Sequence, residues 1–409
     1  MNSAPPRPSA LARTSPRRDH HWASNQDAPA LPALEASYSI APPRNGICRT
    51  SAPVGQIKDF RMLNLIEPLE SLCILRLSAI GDTCHVVPVV RTLQRAWPAT
   101  RLTWVIGRAE ARLMSLLPGV EFITIDKRAG LLAARELRAA LRGRSFDLLL
   151  HMQLSLRASL ASTLIRARVR LGFDRARARE LQWLFTNAQI APRRREHVLD
   201  SFQGFLGALG IERALLEWDL PLPAAAQQYA AALIPDQQPT MIISACSAHP
   251  ARNWRAERYA AIAAHAVQAH GMRVILCGAD SPLERAMGAA IERRAGVAVI
   301  NQIGRDTLPQ LLALLARARV LLCPDSGPAH MATMVGTPVI GLYAATRVAR
   351  SGPYLSRQWC VDRYDLAARR FRGRDAAELP WHEKIERPGV MDLIEVADVR
   401  ERLDALLLT

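Results

Sequence analysis

The chain alternates between short apolar runs and helix-length amphipathic segments, and it runs through that alternation twice. The first series opens with "SLCILRLSAIGD" (71–82), an apolar run ending in a turn, and continues with "TCHVVPVVRTLQRAWP" (83–98), a helix. "RLTWVIG" (101–107), "EFITID" (121–126), "FDLLLHMQ" (146–153) and "VRLGF" (169–173) read as further strands. Between them lie segments such as "GLLAARELRAALRG" (130–143), apolar at the spacing of about 3.6 residues that marks a helix. The pattern breaks at 216–240, which is rich in Pro, Ala and Gln, and then restarts with "MIISACSA" (241–248), "MRVILCG" (272–278), "VAVINQIG", "RVLLCPD" and "PVIGLY" as strands. Ser281 followed by Pro282 is a helix start signal. Such alternation places a parallel sheet between two layers of helices. We therefore expect two doubly wound α/β domains, over 69–222 and 236–390, and a C-terminal amphipathic helix within 391–409. Ligands bind at the carboxyl ends of strands in such sheets, so the site should lie in the cleft between the domains.

Residues 1–68 are rich in Pro, Ser, Ala and Arg and lack sustained periodicity. They cannot bury enough surface to offset the entropy of ordering, and we expect a disordered tail. Met62 stands just before the first strand, so a start there is an alternative that would leave the tail without a function. No apolar run approaches the roughly 18 residues needed to span a bilayer, and the N-terminus has no apolar signal-peptide core. The seven cysteines are widely spaced without a CxxC, as expected of reduced thiols in a cytoplasmic protein. Net charge is +16, and 50 of the 53 basic residues are Arg. That charge admits an anionic partner. A nucleic-acid binder would rest on charge alone, since no recognisable RNA- or DNA-binding motif accompanies it. GxGxxG and GxxxxGK[ST] are both absent, which excludes the usual dinucleotide fingerprint and the P-loop.

Three polar clusters sit at predicted strand ends. In "RLSAIGDTCHVVP", Gly81 permits a tight turn and Asp82 is either a helix N-cap or a catalytic base. In "SACSAHPARNWRAERY", Ser247, Arg252 and Trp254 precede a helix, and an Arg there can pair with a phosphate. In "LLCPDSGPAHMATMVGTPVIGLY", Asp325, Ser326, Gly327 and His330 crowd one strand–helix turn. A helix N-terminus offers unpaired N–H groups to a phosphate. Ser326 and Gly327 allow close approach and His330 can donate to the same anion, while Asp325 suits sugar hydroxyls. The plainer alternative is that Asp325 or Ser326 caps the helix and His330 is core.

Together these stretches resemble glycosyltransferase family 9, the ADP-heptose:lipopolysaccharide heptosyltransferases, from about Leu72 to the C-terminus. "ILRLSAIGD" resembles the family's first strand and Gly-Asp, "PDSGPAHMATMVGTPVIGLY" its Asp-[Ser/Thr]-Gly-x-x-His donor loop, "NQIGRDTLPQLLALLARA" its Gly-[Lys/Arg]-x-x-Leu segment, and "GFDRARAREL" a part of its acceptor domain. The resemblance implies a GT-B fold, two Rossmann-like domains with the active site between them. It implies inverting transfer of heptose from ADP-heptose to the lipopolysaccharide inner core, on a Kdo–lipid A or heptosyl acceptor. It makes Asp82 the general base and Asp325 the holder of donor sugar hydroxyls, and assigns the diphosphate to Ser326, Gly327 and His330. Ser247 falls where the family has a phosphate-binding hydroxyl, and Arg252 where it usually has a Lys. Glu284 is a candidate for the donor ribose, with a solvated helix residue as its alternative. Arg157, Arg175 and Arg177, with Arg179, form a basic cluster where an acidic acceptor would bind. The same face could hold a cytoplasmic enzyme at the inner membrane without a spanning helix. No metal and no cofactor is called for. Two departures stand out: Arg-Asn-Trp-Arg at 252–255 replaces Lys-x-Trp-Pro, and Ala344–Val348 replaces Gly-Pro-Thr-Asp-Pro. They keep open a same-fold transferase with another nucleotide sugar or acceptor, or a non-catalytic nucleotide-sugar-binding module.

Overall fold

The computed structural model describes residues 69–408. The expected tail, Met62 and Cys48 lie outside the described residues. The first half runs β1 (Ser71–Leu75), α1 (Ile80–Ala96), β2 (Arg101–Gly107), α2 (Arg108–Met114), β3 (Val120–Ile125), α3 (Leu131–Ala140), β4 (Phe146–His151), α4 (Leu156–Ser162), β5 (Ala167–Gly172), β6 (Ala188–Gln189) and α5 (Val198–Ala208). After α6 (Ala224–Leu233), the second sheet is built from β7 (Thr240–Ile243), β8 (Arg273–Leu276), β9 (Ile300–Asn301), β10 (Val320–Pro324), β11 (Val339–Tyr343) and β12 (Val361–Asp362). Its connecting helices are α7 (Ala256–His270), α8 (Pro282–Ala295), α9 (Leu308–Arg317), α10 (Gly327–Met334) and α11 (Val348–Ser351). It is followed by α12 (Tyr364–Arg372) and α13 (Val396–Leu407).

Both sheets are six-stranded and parallel, in the orders β3-β2-β1-β4-β5-β6 and β12-β11-β10-β7-β8-β9. Counted within its own half, each follows the Rossmann order 3-2-1-4-5-6, which reverses between the first and fourth strands. The two switch points therefore fall at β1/β4 and β7/β10.

Strand alternation sorts the core into layers. Leu72 and Ile74 of β1 and Leu321 and Cys323 of β10 belong to one continuous buried cluster, with α1, α2, α9 and α10 between the sheets. Cys73 and Leu75 face the other way, toward α3 and α4. Val320 and Leu322 face α7 and α13. The two sheets thus share an inner core.

The chain departs from the sequence reading in instructive places. The 216–240 segment contains α6, and Trp218 anchors it by donating its indole N–H to the Cys84 carbonyl at 3.0 Å. That carbonyl would otherwise go without its usual helical donor, because Pro88 in the middle of α1 has no N–H. The strands expected over 241–248 and in "VAVINQIG" shrink to Thr240–Ile243 and Ile300–Asn301. No reading of periodicity announced α5, α12 or β12. Ser281 caps α8 as expected, accepting the Glu284 N–H at 3.2 Å. Asp404 of α13 lies within 2.7 Å of His265 and 2.6 Å of His270 on α7, clasping the last helix to the outer layer. All six described cysteines are free and buried.

Candidate active site

The first half contributes the end of β1. The sequence leaves Asp82 between cap and base. The helix begins at Ile80, with Ala79 in the capping position, so Asp82 is its third residue. Its Oδ2 accepts a long bond from the Ala79 N–H, 3.4 Å, which satisfies one helix-end donor. The same oxygen is paired with the Arg76 guanidinium, whose other arm donates to the Met152 carbonyl at 2.6 Å. Arg76 is thus strung between β1, β4 and α1 and fixes the carboxylate from behind. A third of the Asp82 side chain remains exposed. Sequence reading missed Arg76, since nothing marks one Arg among so many.

The second half contributes the ends of β7 and β10. Ser326 occupies the capping position of α10, yet its hydroxyl turns back to donate to the Pro324 carbonyl at 3.1 Å and makes no cap bond. The first N–H groups of α10 therefore keep no side-chain cap, which disposes of the simple capping explanation for Ser326. His330 is buried, and its Nδ1 has no partner among the described residues. Burial lowers its pKa, against the pull of Asp325 and Asp82, so the ring is neutral near neutral pH. Ser247 is held by its N–H on Asn253 Oδ1 at 2.8 Å, while its buried hydroxyl has no partner among the described residues.

The Arg252 guanidinium is clamped between two carboxylates. Nε and one terminal nitrogen donate to Glu386 Oε1 at 2.8 and 2.5 Å, and the other reaches Asp325 Oδ2 at 3.4 Å. Burial raises the Glu386 carboxyl, but the Arg252 bonds and the charges of Arg252, His249 and Lys384 outweigh it and hold the group below its ordinary value. Glu386 lies 134 residues from Arg252 and has no local signal. Arg350 in α11 is another cation unseen in the sequence. Burial lowers its pKa, while Asp82 and Asp325 both raise it, so one guanidinium feels the carboxylates of both halves.

The halves meet at Gly81. A Cβ there would stand 2.4 Å from His330 Cδ2, and a Cβ on Gly327 would stand 3.6 Å from Ile80. The N-terminal ends of α1 and α10 are therefore in contact, and Asp82 shares a cleft with the Asp325–His330 loop, with Arg252 beside it. His85 continues the contact, 4.5 Å edge-on to His330 and 5.3 Å from His197.

Glu284 sits further out, at the end of β8. Its carboxylate accepts the Ala279 N–H at 2.7 Å and covers Gly278. Burial raises its pKa, and Asp306, which the sequence did not single out, is pushed up to about 6 by its own burial with Glu284 adding to the effect. The three first-half arginines have separate partners. Arg157 donates to the Lys127 carbonyl at 2.8 Å, Arg175 stacks 3.5 Å above the Trp183 ring, and Arg177 is spent on Asp174, Glu196 and the Ala191 carbonyl. Arg177 is thereby a strut of the 174–201 region.

Two Rossmann-type sheets presenting charged loops of both halves to one cleft form the GT-B fold. A model of glycosyltransferase family 9 (heptosyltransferase) matches residues 134–382. The lipopolysaccharide core heptosyltransferase OpsX of Haemophilus influenzae is 38% identical over 333 residues, covering 81% of this chain and 96% of that protein. The chain belongs to glycosyltransferase family 9. In fold it is similar to a family 9 glycosyl transferase from Veillonella parvula, with a TM-score of 0.68 at 20% identity over 83% of this chain and 97% of that one. The E. coli heptosyltransferase WaaC with ADP gives 0.64 at 20% identity, over 82% and 99%.

Proposed function

We propose that the protein transfers heptose from ADP-heptose to the lipopolysaccharide inner core with inversion, using Asp82 as general base. The observation that carries the reading is the contact of the α1 and α10 ends, which puts an oriented carboxylate opposite an uncapped helix N-terminus. Asp82 takes the proton from the acceptor hydroxyl as its oxygen bonds to the sugar's anomeric carbon. The bond from that carbon to the diphosphate oxygen breaks on the opposite face, and its electron pair leaves with ADP. The Gly327 N–H at the start of α10, the Ser247 hydroxyl and His330 stabilise the charge that develops there. Asp325 takes donor sugar hydroxyls, and Glu284 with Asp306 the ribose. Arg252 acts chiefly by holding Asp325 in place and by adding positive charge beside the leaving group. Arg157 and Arg175 face the acidic acceptor.

The test is transfer by Asp82→Asn beside the wild type. Turnover should fall by about 10²–10⁴-fold, the usual share of a general base, while ADP binding stays within a few-fold. Near-normal turnover with intact donor binding would refute the assignment. A thermal-shift panel of nucleotide sugars fixes the donor, since the preferred one stabilises the fold most. Preference for a UDP- or GDP-sugar would redirect the reading.

A further inference from the structure

Away from the cleft, two histidines and an aspartate converge on the outer layer of the second half. α7 and α13 lie there side by side, over Val320 and Leu322 of β10. Their first turns are fastened together. Trp254 donates its indole N–H to the Ile394 carbonyl at 3.0 Å, and Arg258 reaches the Asp392 carbonyl at 3.1 Å. Toward their other ends stand His265 and His270 of α7 and Asp404 of α13. At a rise of 1.5 Å per residue, the two histidines lie about 14 and 21 Å along α7 from its start at Ala256, the end that Arg252 precedes. The cluster is therefore remote from the reaction proposed above.

The three side chains are arranged as a ligand set. Both imidazoles aim Nε2 at one carboxylate oxygen, Asp404 Oδ1, at 2.7 and 2.6 Å. One ligand atom from each residue lies within 4.8 Å of the other two. The rings stand 86° apart with centroids at 5.2 Å, so the nitrogens converge without the rings stacking. Side chains five positions apart project about 140° apart around a helix, so nothing in α7 alone brings these two together. The carboxylate of α13 closes the set.

A single imidazole is enough to hold a neighbouring helix. Two of them on one oxygen, beside a carboxylate that is 45% exposed, leave an open side from which water can supply a fourth ligand. Ligand atoms around a tetrahedral zinc, with bonds of about 2.0–2.1 Å, stand about 3.3 Å apart. The nitrogens need to withdraw from the oxygen by only about 0.6 Å to make that room. The imidazoles are 19% and 25% exposed, so the rings have space to turn. Two nitrogens and one oxygen suit zinc and its first-row neighbours. They are too poor in oxygen for calcium or magnesium.

We propose that His265, His270 and Asp404 bind one zinc ion, with water as the fourth ligand, and that the ion fastens α13 to α7 at the end away from the cleft. Its role is structural, and it does not depend on which transfer the cleft performs.

The test is calorimetric titration of the untagged, chelator-treated full chain with zinc chloride at neutral pH. One equivalent should bind, and magnesium chloride should give no binding. His265→Gln and His270→Gln keep a donor for Asp404 but lose the imidazole nitrogen, and Asp404→Asn loses the carboxylate. Each should weaken zinc binding by at least about 10–100-fold, the cost of losing even an outer partner of a metal site. Zinc at about a hundredfold its dissociation constant should raise the wild-type thermal midpoint by about 4 °C and leave the variants unmoved. Cobalt in place of zinc should show the visible absorption of a nitrogen–oxygen site without a thiolate band. Wild type that takes up no zinc, or variants that bind it as wild type does, would overturn the proposal. A thiolate band would overturn it in favour of a cysteine site. Variants less stable without zinc, beside a wild type that zinc does not stabilise, would overturn it in favour of a hydrogen-bonded clasp.

Discussion

Gly81 shows how much one missing Cβ decides. It sits in the first turn of α1 with an ordinary helical backbone, so its value lies in the space it leaves for His330. Gly81→Ala should cost about 1–3 kcal/mol through overpacking. Turnover should drop about tenfold or more as His330 is displaced, since each 1.4 kcal/mol at the transition state is worth that factor. Gly207→Ala, in α5 with open space around its Cα, serves as the control and should leave turnover intact while raising the thermal midpoint slightly through helix propensity. Sequence alone brought out Asp82, Ser247 and the Asp325–His330 loop, because each stands in a short motif at a strand end. It could not bring out Arg76, Glu386 or Arg350. Their meaning comes from partners remote in the chain, and arginine is too common here for any single one to stand out.

At the scale of elements, the segment carrying Glu386 supports the turn before α10 through Arg252. Arg252 joins three pieces of chain, the turn after β7, the turn after β10 and the 380s segment. Arg252→Ala should lower stability by roughly 1.5–3 kcal/mol, the range for hydrogen bonds to charged groups, and weaken ADP binding as Asp325 loses its support. Arg252→Lys should recover only part of each, because one ammonium cannot reproduce the fork that meets both carboxylates. Denaturant unfolding and ADP titration measure the two effects. Interior strands were legible because each carries its own apolar run. Edge strands β6 and β12 have two residues apiece, and their pairing is imposed by the neighbouring strand instead of by any pattern of their own. In α12 the run of arginines hides the apolar stripe that buries Tyr364, Ala367 and Ala368.

For the molecule as a whole, buried histidines set the response to acid. His151 and His197 are pushed down to about 3 by burial, and His85 and His330 are also lowered. The unfolded chain takes up these protons near pH 6.5 while the folded one does not. Stability is therefore unaffected by these groups above that pH and falls below it, by up to about 1.4 kcal/mol per pH unit for each histidine. Asp306, raised to about 6, acts in the opposite sense between about pH 4 and 6 and offsets one of them. Urea unfolding at pH 7, 6 and 5 should show the loss, and His151→Asn should make it shallower by one proton. The doubly wound architecture was evident from alternation alone. The shared inner core was not, because apolar residues that cover a neighbouring sheet look the same in sequence as those that cover their own.

That shared core gives the two halves a fixed point of contact. The helices after β1 and β10 sit on the inner layer and touch, whereas their topological counterparts, α4 after β4 and α7 after β7, lie on the two outer layers and are held apart by both sheets. The two halves are thus pinned where α1 meets α10, and any relative motion of the sheets would pivot on that contact.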